Sequence, residues 1–380
     1  MRVLNVSALL DPVIGGGTAE RTVQLSRAFT RFGWTTTTLC IDTGFDRVVQ
    51  QVRMEGSRLV ALDCRNRRFL IPDWTAKTLD ALVDGVDIVH LCNHWTFLNV
   101  LVVRAARRRR KPWVVCPAGA LPVMGRSQII KRTYNLFAGK QVVSRAAGWV
   151  AITQREVQSF LEYGVNGDQV RVIPNGVDPD EFHYGDPEGF RQRHDLPRGA
   201  LVVFLGRLDS VKGPDLLLEA FCRVVHDLPD CVLVFAGPDG GLLETLRTRA
   251  KALNDRVRFL GHVSRAEKSS LLAAASLVVV PSRSEAMSIV ALEAGAAGAP
   301  VLMTTECGFD DLPSSGGGEL VEATVDGLAL GLQSMLGVPD SLAERGVRLR
   351  KFVLERYTWG ASVVRYKSLF ESILSGSRAA

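Results

Sequence analysis

Short apolar runs alternate with amphipathic stretches along most of this chain. The runs at about Arg2–Leu9, "WTTTTLCID" (34–42), "VDIVHLCNHW" (86–95), "RVIPN" (171–175), "CVLVFAGP" (231–238), "VRFLGH" (257–262) and "SLVVVPS" (276–282) have the length and the Val/Ile/Leu content of buried strands. A further such run opens "ALVVFLGRLDSVKGPDLLLEAF" (200–221). Helical periodicity fills the intervals at 74–84, 97–110, 241–253 and 264–275, while "VRMEGSRLVALD" (52–63) reads as a hairpin or further strands. Such βα alternation predicts an α/β fold with largely parallel sheets. The turn signal Asn175-Gly176 opens a Pro-, Gly-, Asp- and His-rich stretch, and the βα pattern then restarts. The domains expected are 1–175 and 199–356, with a linker over 176–198 and a closing segment 357–380.

The chemistry concentrates in residues 281–302, "PSRSEAMSIVALEAGAAGAPVL". This reads as a strand end, a loop holding Glu285, a helix N-capped by Ser288, and Pro300 opening the next strand. Amides at that helix start form an anion site beside Glu285. The Ala- and Gly-rich helix packs closely on a sheet and half buries Glu293, which then needs partners. Between Ser284 and Glu344 the sequence has no Lys, Arg or His, so ligand hydroxyls are the expected partners and a solvated face is the alternative. In "LGRLDSVKGPD", Arg207 and Lys212 share one strand-to-helix loop, as two cations for one diphosphate or as surface ion pairs of Arg207 with Asp209 or Asp215. Gly15, Gly16 and Gly17 precede the first helix, where glycines admit a phosphate to backbone amides; the spacing is not Gly-x-Gly-x-x-Gly, and a plain loop is the other reading. His94, at the C-terminal edge of a strand, is a contact for an acceptor or sugar, or a packing residue.

Composition narrows the classes. At 47% hydrophobic and 23% charged the chain is an ordinary globular protein, and its seven scattered cysteines lack a Cys-x-x-Cys pair, as reduced cytosolic thiols do. No apolar run approaches a membrane span, and "MRVLNVSALLDP" reads as a first strand, not a signal peptide. The expected site is therefore the cytoplasm. Residues 1–180 hold 24 Lys+Arg against 15 Asp+Glu, net +9, whereas residues 181–380 hold 22 against 25, net −3. The basic half mixes cations with Ile129, Ile130, Tyr134, Phe137 and Trp149, which suits a helix lying on an anionic membrane through residues 104–149. "RRRRK" alone does not make a specific nucleic-acid site.

"FLGRLDSVKGPDLLLEAF", "VRFLGHV", "VIPNGVDPDEF" and the pair Glu285-x7-Glu293, in that arrangement, resemble the retaining, nucleotide-sugar-dependent glycosyltransferases of family GT4. The resemblance is strongest from about Val170 to Gly308. It implies the GT-B fold: two Rossmann-like domains facing each other across a cleft, with a C-terminal helix crossing back, a role that "YTWGASVVRYKSLFESIL" (357–374) suits. It further implies that Arg207 and Lys212 neutralise the donor diphosphate without a metal or other cofactor and that Glu285 contacts the donor sugar. By the same resemblance Glu293 holds the ribose, amides at Met287, Ser288 and Ile289 bind sugar and phosphate oxygens, Val263 lies near the base, and Gly16 and Gly17 cover the diphosphate. Hexosyl transfer to a saccharide or lipid-linked acceptor is the implied reaction. Many relatives have a Pro-His-Gly segment where "CPAGAL" has Ala118, and "TTECGFDDL" replaces the usual Gly-x-x-Glu pattern. Ala118 motivates a second reading, an impaired donor-binding or membrane-associated partner protein. A nucleotide-sugar epimerase would not be expected to carry this Arg, Lys and Glu set.

Overall fold

The computed structural model describes all residues except 12–14, 124–126, 184, 229 and 377–380, and the chain divides into two compact units, Met1–Asn175 with Trp359–Ala380, and Gly176–Thr358. Unit 1 carries β1 (Arg2–Val6), β2 (Thr35–Asp42), β3 (Arg58–Asn66), β4 (Ile71–Pro72), β5 (Ile88–Leu91), β6 (Trp113–Val115), β7 (Gly148–Ala151) and β8 (Val170–Val172). These form one sheet in the order β4-β3-β2-β1-β5-β6-β7-β8, parallel except for the β3–β4 pair. Residues 52–63 thus make a helix end and one parallel strand instead of a hairpin. The strand interiors are largely apolar on both faces, as expected of parallel strands covered by helices, with Asn5, Thr36, Thr38 and His90 as buried polar exceptions.

Unit 2 carries β9 (Leu201–Leu205), β10 (Val232–Ala236), β11 (Val257–Gly261), β12 (Leu277–Val280), β13 (Val301–Thr304) and β14 (Gly318–Val321). The sheet is parallel throughout, in the order β11-β10-β9-β12-β13-β14. That is the doubly wound Rossmann order, and its reversal point falls between β9 and β12, where open α/β sheets bind ligands at the strands' carboxyl ends. Residues 176–198, expected as a linker, fold within unit 2. They hold a 3-10 turn Pro179–Phe182 and a helix Pro187–Arg193 capped by Asp186, and bury Phe182 and Phe190. The helix Trp359–Gly376 belongs to unit 1. Its Tyr366 and Phe370 are buried in ring contacts with Phe29, and Tyr366 lies edge-on to His90.

Candidate active site

The loops that follow β9, β12 and β13 are stitched together by their backbones. Arg283 N–H donates to Val211 C=O (2.8 Å), Glu285 N–H to Glu306 C=O (2.8 Å) and Ser288 N–H to Cys307 C=O (2.9 Å). Two glycines permit this approach. Gly213 (φ +69°) would place a Cβ 2.1 Å from Pro281 O, and Gly308 (φ +64°) one 2.0 Å from Ala286 O. Consequently Lys212, from the β9 loop, meets Glu285, from the β12 loop, at 2.8 Å, with both side chains partly buried.

Asp209 shapes the first loop. One of its oxygens accepts from Lys212 N–H (2.9 Å) and the other pairs with Arg207 Nε (3.0 Å), so the anticipated Arg207–Asp209 ion pair is present. Asp215 instead takes Arg283, in two bonds of 2.8 and 2.6 Å, which hold Asp215 below the usual carboxylate range against its burial. Ser282 Oγ donates to the second Glu285 oxygen (3.1 Å). Behind them lies the buried Cys307 thiol, pushed up to about 11 by burial and by the nearby Glu285 charge, and so an un-ionised wall of the site.

Glu293 lies one turn into the helix Ile289–Ala297, whose start is capped by Ser288 Oγ accepting from Ala291 N–H (3.2 Å). No cation from the stretch 284–344 reaches it, as expected, but a cation from outside that stretch does. Lys268 Nζ, from the helix Arg265–Ala274, lies 2.5 Å from Glu293 Oε1, with both side chains largely buried and Phe182 beneath the ammonium. Lys268 is distant from Glu293 in sequence, and its one sequence signal is a lysine in the first turn of the preceding helix. Met287 and Ser288 are buried, Ile289 is half-buried at the helix start, and Val263 is half-buried just past β11. The structure thus brings Arg207, Lys212, Glu285 and Ser288 to the reversal point of one sheet.

In unit 1, Gly16 and Gly17 open the helix Gly16–Arg31 after β1; Gly16 has φ +54°, and a Cβ on Gly17 would meet open space. His94, expected as an acceptor or sugar contact, is 0% exposed. Its Nε2 is 3.1 Å from Asn135 Oδ1 and its ring is wedged against Trp95, Tyr134 and Tyr163, so the packing reading holds in place of the contact. Ala118 occupies a turn after β6 with φ +51°, a conformation that histidine also tolerates, but only a methyl group extends from it. Among the described residues no three His, Cys, Asp or Glu side chains cluster as a metal site, and no helix is long and apolar enough to cross a membrane.

Residues 16–176 match the family described as Glycosyl transferase 4-like domain, and residues 188–349 that described as Glycosyl transferases group 1. The chain is similar to D-inositol 3-phosphate glycosyltransferase 2 of Catenulispora acidiphila, 31% identical over 261 residues, 65% of this chain and 61% of that protein. The D-inositol 3-phosphate glycosyltransferase of Frankia alni is 32% identical over 259 residues, 63% of this chain and 62% of that one. The chain thus spans about three fifths of the length of these curated relatives. Among solved structures, HepE of Anabaena in complex with UDP superposes with a TM-score of 0.82 at 18% identity, over 98% of this chain and 100% of that one. WaaG, a glycosyltransferase involved in lipopolysaccharide biosynthesis, superposes with a TM-score of 0.70 at 18% identity, over 97% and 98%. At such identity the superpositions speak for the fold. Two glycosyltransferase domain families are thus matched in turn along the chain, residues 16–176 and 188–349, and its two Rossmann-like sheets have the fold of GT-B glycosyltransferases.

Proposed function

We propose that the chain is a retaining hexosyltransferase, moving a sugar from a nucleoside-diphosphate sugar, without a metal, to a saccharide or lipid-linked acceptor. The observation that carries the reading is the meeting of Lys212 and Glu285, with Arg207 on the same loop as Lys212, at the reversal point of the unit 2 sheet. These cations are held by carboxylates that a diphosphate displaces, and both are exposed enough to exchange partners cheaply. As the bond from the sugar C1 to the phosphate oxygen breaks, charge develops on the leaving diphosphate, and Arg207 and Lys212 stabilise it there. The acceptor hydroxyl attacks C1 from the same face and passes its proton to the departing phosphate. Glu285 positions the sugar, Glu293 accepts from the ribose hydroxyls, and amides at Met287, Ser288 and Ile289 meet sugar and phosphate oxygens, with Val263 beside the base.

HepE was solved with UDP and with UDP-glucose, which makes UDP-sugars the first donors to try. Saccharides, lipid-linked sugars and inositol phosphate, for which the curated relatives are named, are the first acceptors. The test is the anomeric configuration of the product by proton NMR. A product with the donor's configuration, formed equally in EDTA, is expected; an inverted product or loss of turnover in EDTA contradicts the proposal. Donor binding with no turnover on any acceptor would favour the impaired-protein reading that Ala118 motivates.

A further inference from the structure

In unit 1, three contiguous helical pieces, Gln128–Tyr134, a π-helical turn Asn135–Gly139, and Lys140–Ser144, run along the surface. One face is anchored. Asn135 is buried, donating Nδ2–H to Tyr163 Oη (2.8 Å) while its Oδ1 takes His94 Nε2–H (3.1 Å), and Tyr163 in turn donates to Leu121 C=O (2.9 Å). Trp113 and Trp149 donate their indole N–H groups to the carbonyls of Val142 and Val143. The opposite face is apolar and bare: Ile129 is 79% exposed, Ile130 55%, Leu136 76% and Phe137 74%. Four large apolar side chains within nine positions, all pointing outward, are more than scattered surface hydrophobicity, because an anchored helix cannot rotate to hide them.

Charge chooses the occupant. Residues 101–150 hold 11 Lys+Arg and 0 Asp+Glu, net +11, and Arg132 and Lys140 are exposed on the same outward face. The 104–110 run contributes less than its sequence suggested, because Arg108 is paired with Asp80 and Arg109 with Asp84. A second copy of the chain would bring the same positive surface against this one, which like charges oppose.

We propose that this face seats on an anionic lipid bilayer, with Ile129, Ile130, Leu136 and Phe137 entering the boundary of headgroups and acyl chains while Arg132 and Lys140 meet lipid phosphates. The expected surface of 104–149 thereby contracts to residues 128–140. The inference goes beyond the donor reading and is tested without donor, so each can fail alone.

The experiment is co-sedimentation of the full chain with vesicles of phosphatidylcholine, and of phosphatidylcholine mixed with phosphatidylglycerol, at low and high salt. Binding to the anionic vesicles only, weakened by salt, is expected. The double variant Leu136→Ser/Phe137→Ser should bind about tenfold more weakly or worse, and Arg132→Glu/Lys140→Glu should lose the preference for anionic lipid. Both variants should keep the wild-type circular dichroism. Absence of binding to anionic vesicles overturns the inference, as does undiminished binding by Leu136→Ser/Phe137→Ser. A solution dimer that the same substitutions dissociate also overturns it, assigning the face to a second copy.

Discussion

Lys268 at 2.5 Å from Glu293 sets how the second carboxylate of the Glu-x7-Glu pair is held. A largely buried carboxylate with one oxygen on an ammonium keeps the other oriented, so the role expected of Lys268 is to position Glu293 for the donor. Lys268→Met is expected to raise the donor KM while kcat moves little; a fall in kcat at constant KM would contradict that role. Lys212→Ala and Glu293→Ala should each weaken donor binding, by about tenfold or more for a charged partner of a diphosphate or diol, with the fold retained; unchanged affinity in calorimetry for both would remove the site. Lys212 and Glu285 were legible in sequence because both sit on loops that leave strand ends, and Glu293 because it lies one turn into the helix that follows. Lys268 was not, since its meeting with Glu293 depends on how two helices pack, and sequence distance says nothing of that.

At the scale of elements, the surface helical segment and His94 explain each other. His94 looked like a ligand residue because it follows β5 at a sheet edge, but it secures the π-turn at Asn135–Gly139. Burial keeps its imidazole neutral, with the pKa pushed down to about 4. In the unfolded chain it titrates near ~6.5, so between these values the unfolded state takes up the proton. The stability from this neutral histidine is complete above about pH 6.5 and is lost as pH falls toward 4. Urea denaturation should therefore show His94→Gln losing about 2 kcal/mol less than wild type between pH 7 and pH 5; identical losses would contradict the assignment. The linker expected over 176–198 failed for a related reason. Its turn-forming composition is real, yet Phe182 and Phe190 supply enough apolar surface to dock two short helical turns.

For the molecule as a whole, the parallel architecture was readable from period and run length, since strands buried on both faces must be apolar throughout. Strand order was not, because periodicity carries no information on which strands pair. The last helix completes unit 1 from the far end of the chain, and Phe370, buried against Phe29 and Trp34, carries part of that closure. Phe370→Ala should cost about 3–5 kcal/mol, read as a lower midpoint in urea; a loss below about 1 kcal/mol would mean that the helix adds little to the fold. Whether the reversal point of unit 2 binds a nucleoside-diphosphate sugar through Arg207, Lys212 and the two glutamates is read by calorimetric titration of UDP-, GDP- and ADP-sugars into the intact chain with and without EDTA. Binding of one nucleotide class, unchanged by EDTA and weakened in Lys212→Ala, is the predicted result. A folded protein that binds none of them, or binds only when a divalent metal is present, would contradict it.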